Sequence, residues 1–292
     1  MKSPEESIKI AVIGGDLRQI YTAMSFADKG YETALFGFDN YTGDIGLCTK
    51  CRNLADALNK SKAVILGNPV SNDGLNLFCP MNEEKVTVEE VVSDIEKDCI
   101  VLGGRCGNIS SNFSYKIIDY FEREDLVIAN AYLTAESAVG IAMYEMNESI
   151  RDMSVLVMGY GRIGKSLCHI LKGMGANVYA SARKESDFAW IRAFGYSPVD
   201  TGRVCDVVSE CKLLFNTIPK VVLGEDVLCC LQKDTLIIDL ASKPGGVDFD
   251  AAKKCGLKTI WALALPGKKL PAGAGRVQAD VILDILDDEG VI

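Results

Sequence analysis

The sequence predicts an α/β protein of two doubly wound parallel-sheet domains with a cleft between them. Three observations carry this. Short β-branched runs ending in Gly, Pro or Asn alternate with longer stretches of helical spacing, and the alternation occurs twice along the chain. A glycine turn, Gly159-Tyr160-Gly161-Arg162-Ile163-Gly164, follows an apolar strand and opens a helical run in the second series. At 292 residues, the chain is too long for one ordinary core.

In the first series the runs are residues 9–13, 32–36, 63–66, 99–102 and 126–129, and in the second 154–158, 177–182, 213–216, 235–240 and 258–262. Between them Thr134 is expected to cap a helix over 138–146. The boundary is placed near 149–151. Residues 1–148 then form a substrate and interaction domain, a flavodoxin-like variant, and 150–275 a Rossmann-like nucleotide domain. The tail 276–286 is amphipathic and by analogy with two-domain dehydrogenases packs back on the first domain.

A net charge of -9 argues against nucleic acid, which needs clustered Lys and Arg, but leaves room for a small anion held by a few local cations. The start, Met1 to Ser7, carries acid where a signal peptide would carry positive charge, and no uninterrupted run approaches the ~18 apolar residues of a membrane span. A cytoplasmic location, with no membrane, is therefore expected. Cys48 and Cys51 form a lone Cys-x-x-Cys and Cys229-Cys230 are adjacent, which is half of a zinc site at best. No metal is expected, and the cysteines are read as buried free thiols.

In the glycine turn, Gly159 allows the tight bend, Gly161 lets backbone approach a pyrophosphate and Gly164 permits close packing of helix on strand. Arg162 adds charge, and Ile163 completes the motif. The strand that follows ends Ser181-Ala182-Arg183-Lys184, with no carboxylate before Glu185. An acid there would bind a ribose 2′-hydroxyl, whereas cations accommodate a 2′-phosphate, so NADP is predicted over NAD with Ser181, Arg183 and Lys184 around the phosphate. The alternative is a solvated basic loop. Asn216, Thr217, Pro219 and Asp239, at later strand ends, complete the expected cofactor site.

Ligands of open α/β sheets bind beyond the carboxyl ends of strands. Arg18 and Arg105 follow paired glycines there in the first series, and Lys243 and Lys268 lie in loops of the second. Their convergence would suit a compound with two carboxylates. Gly14-Gly15-Asp16 lacks the remaining glycine spacing and puts acid where phosphate would lie. The single histidine, His169, is read as a packed helix residue, so the histidine acid/base of 2-hydroxy-acid dehydrogenases is missing. Lys268 is the candidate proton acceptor, or holds a carboxylate.

Gly14-Gly15-Asp16-Leu17-Arg18, Asn130-Ala131-Tyr132-Leu133-Thr134-Ala135-Glu136, the glycine turn, and Ala264-Leu265-Pro266-Gly267-Lys268 together resemble the dipicolinate synthase A-subunit family of spore-forming bacteria. The resemblance implies oxidation of dihydrodipicolinate to dipicolinate with NADP, and a flavoprotein-like partner in the dipicolinate synthase B-subunit; Arg18, Arg105, Thr134 and Lys243 are the expected substrate contacts. A homo-oligomer is expected. Ser137 stands where the family is expected to have glycine, and 269–274 match loosely. Two other readings stay open: another NAD(P)-dependent dehydrogenase of small carboxylates, and a non-catalytic NADP-binding scaffold protein.

Overall fold

The structure, a computed structural model, describes residues 8–109 and 116–292, so the acidic start read above lies outside the described residues. The chain divides into two compact units, Met1–Asn130 with Leu270–Ile292, and Ala131–Lys269.

Unit 1 runs β1 (Lys9–Ile13), α1 (Leu17–Asp28), β2 (Glu32–Phe36), β3 (Thr49–Lys50), α2 (Leu54–Leu58), β4 (Ser61–Leu66), α3 (Val88–Ser93), β5 (Ile100–Gly103) and β6 (Ile117–Asp119). Among the described residues these strands form one parallel six-stranded sheet in the order β3-β2-β1-β4-β5-β6. With the two-residue β3 set aside, the order is the 2-1-3-4-5 of flavodoxin-like sheets. Ile10 to Ile13 and Ala63 to Leu66 are fully buried. These two neighbouring strands are apolar without alternation because helices cover both faces of the sheet.

The long helix α4 (Glu124–Glu145) follows. It corrects two expectations: 126–129 is its first turns and not a strand, and Thr134 is a buried interior residue and not a cap. The division between units falls at Asn130 within it, upstream of 149–151. Apolar residues all round the helix leave no 3.6-residue period to read. Among the described residues it is also the helix long and apolar enough to cross a membrane, with a mean hydropathy of 1.4 that an uninterrupted-run criterion passed over. Ala135, Ala138, Val139 and Ala142 belong to the core of unit 2.

Unit 2 continues β7 (Ser154–Met158), α5 (Arg162–Gly173), β8 (Asn177–Ala182), α6 (Glu185–Ala193), β9 (Ser197–Asp200), β10 (Leu213–Asn216), α7 (Glu225–Leu228), β11 (Leu236–Asp239), α8 (Phe249–Lys254), β12 (Lys258–Trp261) and α9 (Leu265–Lys269). Its parallel sheet is ordered β12-β11-β10-β7-β8-β9. The chain reverses direction across the sheet between β7 and β10, which creates the crevice where such sheets take ligands.

The last helix, α10 (Pro271–Asp288), belongs to unit 1 and packs on α1. Pro271 in its first turn explains a start earlier than the amphipathic pattern suggested. Thr22 Oγ1 donates to the Gly275 carbonyl at 3.0 Å, and a Cβ on Gly275 would strike the Arg18 carbonyl, so glycine lets the two helices touch.

Candidate functional site

The turn after β7 is shaped by contacts that exclude side chains. Gly159 has φ +93°, and a Cβ there would lie 2.5 Å from Thr217 Oγ1. Its N–H donates to Ser181 Oγ at 3.1 Å, while the N–H and hydroxyl of Thr217 both donate to the Met158 carbonyl, at 2.9 and 2.8 Å. A Cβ on Gly164 would collide with the Gly159 carbonyl oxygen. A Cβ on Gly161 would meet nothing within 4 Å, and Gly161 caps α5 with no side-chain hydrogen bond among the described residues. The first amides of this twelve-residue helix therefore face an open approach, which fits a bound pyrophosphate. Arg162 is exposed at the same terminus, and Ile163 packs against the core beneath.

Three residues expected to touch cofactor have other work. Ser181, Asn216 and Asp239 are each fully buried. Ser181 pairs with Met158 in the sheet, and its hydroxyl accepts the Gly159 amide, so it shapes the turn and does not reach a 2′-phosphate. Asp239 Oδ1 accepts from Asn216 Nδ2 at 2.8 Å and Ala241 N at 3.0 Å, and its Oδ2 from Gly246 N at 2.8 Å. Asn216 also donates to the Ile218 carbonyl at 3.1 Å. This buried knot fixes the loops after β10 and β11 beside the glycine turn. Thr217 is half-buried against that turn and Pro219 is exposed.

Arg183 and Lys184 are exposed at the end of β8, and neither forms an ion pair among the described residues. Lys243 and Lys268 are exposed, the first after β11 and the second in α9. His169 is exposed on α5, which corrects its reading as a packed residue. Cys205, Cys229 and Cys230 are exposed as well, against the expectation of burial. Cys229 and Cys255 face each other across α7 and α8, with sulfurs 3.4 Å apart.

In unit 1 the two arginines stand at the carboxyl edge of the sheet. Arg18 follows the cap of α1 and is tied to it: Nε and Nη2 donate to the Asp16 carboxylate at 2.9 and 2.8 Å, and Nη2 also donates to the Asn68 carbonyl. Its charge is thus partly neutralised, which the spacing alone did not signal. Arg105 adopts φ +54°, held by its N–H to Asp119 Oδ1 at 3.0 Å, with the guanidinium 4.8 Å from the Phe121 ring centre. Crowding by surrounding protein, followed by the nearby Arg18 charge, lowers the Arg105 pKa. The two cations therefore sense each other. Sequence reasoning missed their partners Asp16, Asn68 and Asp119, because nothing in a loop sequence distinguishes a buried anchor from a solvated polar residue. A cavity of about 860 Å³ in unit 1 is lined by Lys9, Glu32, Lys62 and Ile100 at the opposite, amino-terminal edge of the strands.

A parallel sheet with this strand order and an uncapped, glycine-lined helix start is the arrangement of a dinucleotide-binding domain. Residues 117–243 match the D-isomer specific 2-hydroxyacid dehydrogenase, NAD binding domain, family, and the chain is an NAD(P)-dependent oxidoreductase by family. Residues 9–118 match the N-terminal domain family of the dipicolinate synthase A-subunit. The chain is 32% identical over 286 residues to the dipicolinate synthase A-subunit of Bacillus subtilis, covering 96% of each sequence. Its fold matches the crystal structure of dipicolinate synthase, A chain, from Bacillus subtilis, with TM-score 0.83, 30% identity and 97% of each chain covered. It also matches the crystal structure of the dipicolinate synthase A-subunit from Bacillus halodurans, with TM-score 0.81, 30% identity, and 96% and 97% coverage. The chain belongs to the dipicolinate synthase A-subunit family.

Proposed function

We propose that this chain oxidises dihydrodipicolinate to dipicolinate, pyridine-2,6-dicarboxylate, with NADP as hydride acceptor and in company with the dipicolinate synthase B-subunit. The setting is the mother-cell cytoplasm of a sporulating bacterium. The observation that carries the reading is family membership over 96% of the chain, joined to the open helix start at Gly161.

When bound, the oxidised nicotinamide supplies hydride acceptance. The rest falls to side chains. The first-turn amides of α5 and Arg162 hold the pyrophosphate, and Arg183 and Lys184 hold the 2′-phosphate. Asn216, Thr217 and Asp239 keep the neighbouring loops in place from beneath. Oxidation removes a hydride and a proton from the dihydropyridine ring, and aromatisation favours it. Arg18 and Arg105 compensate the two carboxylates and orient the ring, and Lys243 is the further candidate cation in unit 2. As a neutral amine Lys268 takes the departing proton; as an ammonium it holds a substrate carboxylate instead.

The test is an assay of dihydrodipicolinate oxidation by the purified chain, with and without the B-subunit, following nicotinamide absorbance with NADP and with NAD. Turnover with NADP supports the reading. Failure with dihydrodipicolinate but turnover of another small carboxylate would replace the substrate. Turnover that survives a bulky residue at Gly161 would move the active site to the partner.

A further inference from the structure

Asn68 lies in the loop after β4, and it is 1% exposed. Both ends of its side-chain amide, Nδ2 and Oδ1, are buried with no hydrogen-bond partner among the described residues. Buried amides in folded proteins are nearly always bonded, and one with donor and acceptor both empty marks a place held for something else.

Its surroundings say what that something is. The backbone carbonyl of Asn68 accepts from Arg18, and Gly104, next to Arg105, approaches so closely that a Cβ there would lie 2.7 Å from Asn68 Cβ and 2.8 Å from Tyr120. Gly104 N donates to the Gly67 carbonyl at 3.1 Å, which binds the loops after β4 and β5 together. Asn68 thus lies in the loop whose carbonyl holds Arg18 and against the glycine that precedes Arg105. The acids nearby are spent: Asp119 accepts from the N–H groups of Arg105, Cys106 and Phe121, and Asp16 caps α1. Positive charge beside an unfilled donor and acceptor is a site for a carboxylate next to an N–H.

We propose that Asn68 is a ligand contact, its Nδ2 donating to a carboxylate oxygen drawn in by Arg18 and Arg105, and its Oδ1 accepting from an N–H on the adjoining ring atom. The ligand class is a cyclic amino acid, or a cyclic imino acid with its ring nitrogen protonated. Arg18, turning from Asp16 and the Asn68 carbonyl toward the incoming carboxylate, uncovers the amide. This inference rests on the reading of unit 1 as the dicarboxylate-binding unit.

A matched pair of probes tests it by calorimetry on the full chain with NADP present: cis-piperidine-2,6-dicarboxylate, and cis-cyclohexane-1,3-dicarboxylate, which replaces N–H by CH₂. The native chain is expected to prefer the piperidine at least tenfold. In Asn68→Leu, of similar size, the preference falls to about one while NADP binding is unchanged and the melting midpoint holds or rises. Asn68→Ser serves the same comparison if the leucine variant does not fold. A preference that survives in either folded variant, or a native chain that binds both probes equally, overturns the role of Asn68 and leaves the dicarboxylate reading intact. A native chain that binds neither probe, nor pyridine-2,6-dicarboxylate, overturns the dicarboxylate reading as well.

Discussion

Asn216 and Asp239, paired side by side on β10 and β11, share a hydrogen bond of 2.8 Å at a point where both are fully buried. A carboxylate there is tolerated because three N–H groups point at it. Asp239→Asn would turn an amide donor toward at least one of them and leave that donor empty, at a cost of about 3 kcal/mol. Urea denaturation should show a lower midpoint at unchanged slope, and an unaltered midpoint would mean the knot carries no stability.

The two glycines around the start of α5 should separate stability from binding. Gly164→Ala drives a methyl into the Gly159 carbonyl and is expected to cost about 1–3 kcal/mol, read as a fall in melting midpoint. Gly161→Ala meets open space in the protein, so the midpoint should stay put while nicotinamide cofactor affinity falls at least tenfold. Equal cofactor affinity in the alanine variant would show that nothing approaches the helix at Gly161.

Arg183→Ala removes an exposed guanidinium that has no partner within the described protein. NADP affinity should fall at least tenfold, about 1.4 kcal/mol, with NAD affinity unchanged. Fluorescence titration with both cofactors reads the difference, and a parallel loss for both would place Arg183 away from the 2′-phosphate.

Arg18→Ala should raise KM for the dicarboxylate strongly, with NADP affinity unchanged. The substitution also frees Asp16, which still caps α1 through the backbone N–H groups of residues 18 and 19 and the Gln19 side chain, so the fold should persist. An unchanged KM in steady-state kinetics removes Arg18 from the substrate site.

Alkaline pH should weaken the fold through its thiols. Burial pushes Cys48 up to about 11, and Cys99, Cys168 and Cys211 up to about 12. In the unfolded chain a thiol ionises near ~8.5, so above that pH the unfolded state binds fewer protons than the folded one and stability falls as pH rises. The loss should run from about pH 8.5 to about 12, and it should shrink in Cys168→Ala or Cys211→Ala once their own destabilisation is subtracted. Melting midpoints flat across pH 8 to 10.5 would contradict the shifts.

The legible parts of this protein were those where one residue type has one physical use. Gly159, Gly161 and Gly164 could be read from spacing because a bend, an anion approach and a helix contact each exclude side chains. The strands β1, β7 and β10 could be read because nearly unbroken apolar runs of that length suit a sheet covered on both faces. α4 could not, since an apolar residue on every side erases the period, and its first turns passed for a strand. Polar residues at strand ends were the other blind spot. Ser181, Asn216 and Asp239 look like ligand contacts in a list of loop residues, yet each points inward to a backbone or side-chain partner.

The residues alone determined the α/β class, the nucleotide-binding turn and the family, because these depend on local periodicity and on spacings of a few positions. Only the tertiary structure decided that the Asn68 carbonyl holds Arg18, that Asp239 knots two loops and that Asn68 is buried with its amide unfilled. Such roles depend on burial and on partners about fifty residues away or on a neighbouring strand. Whether a polar atom faces water or another polar atom is settled by packing, which local sequence does not encode.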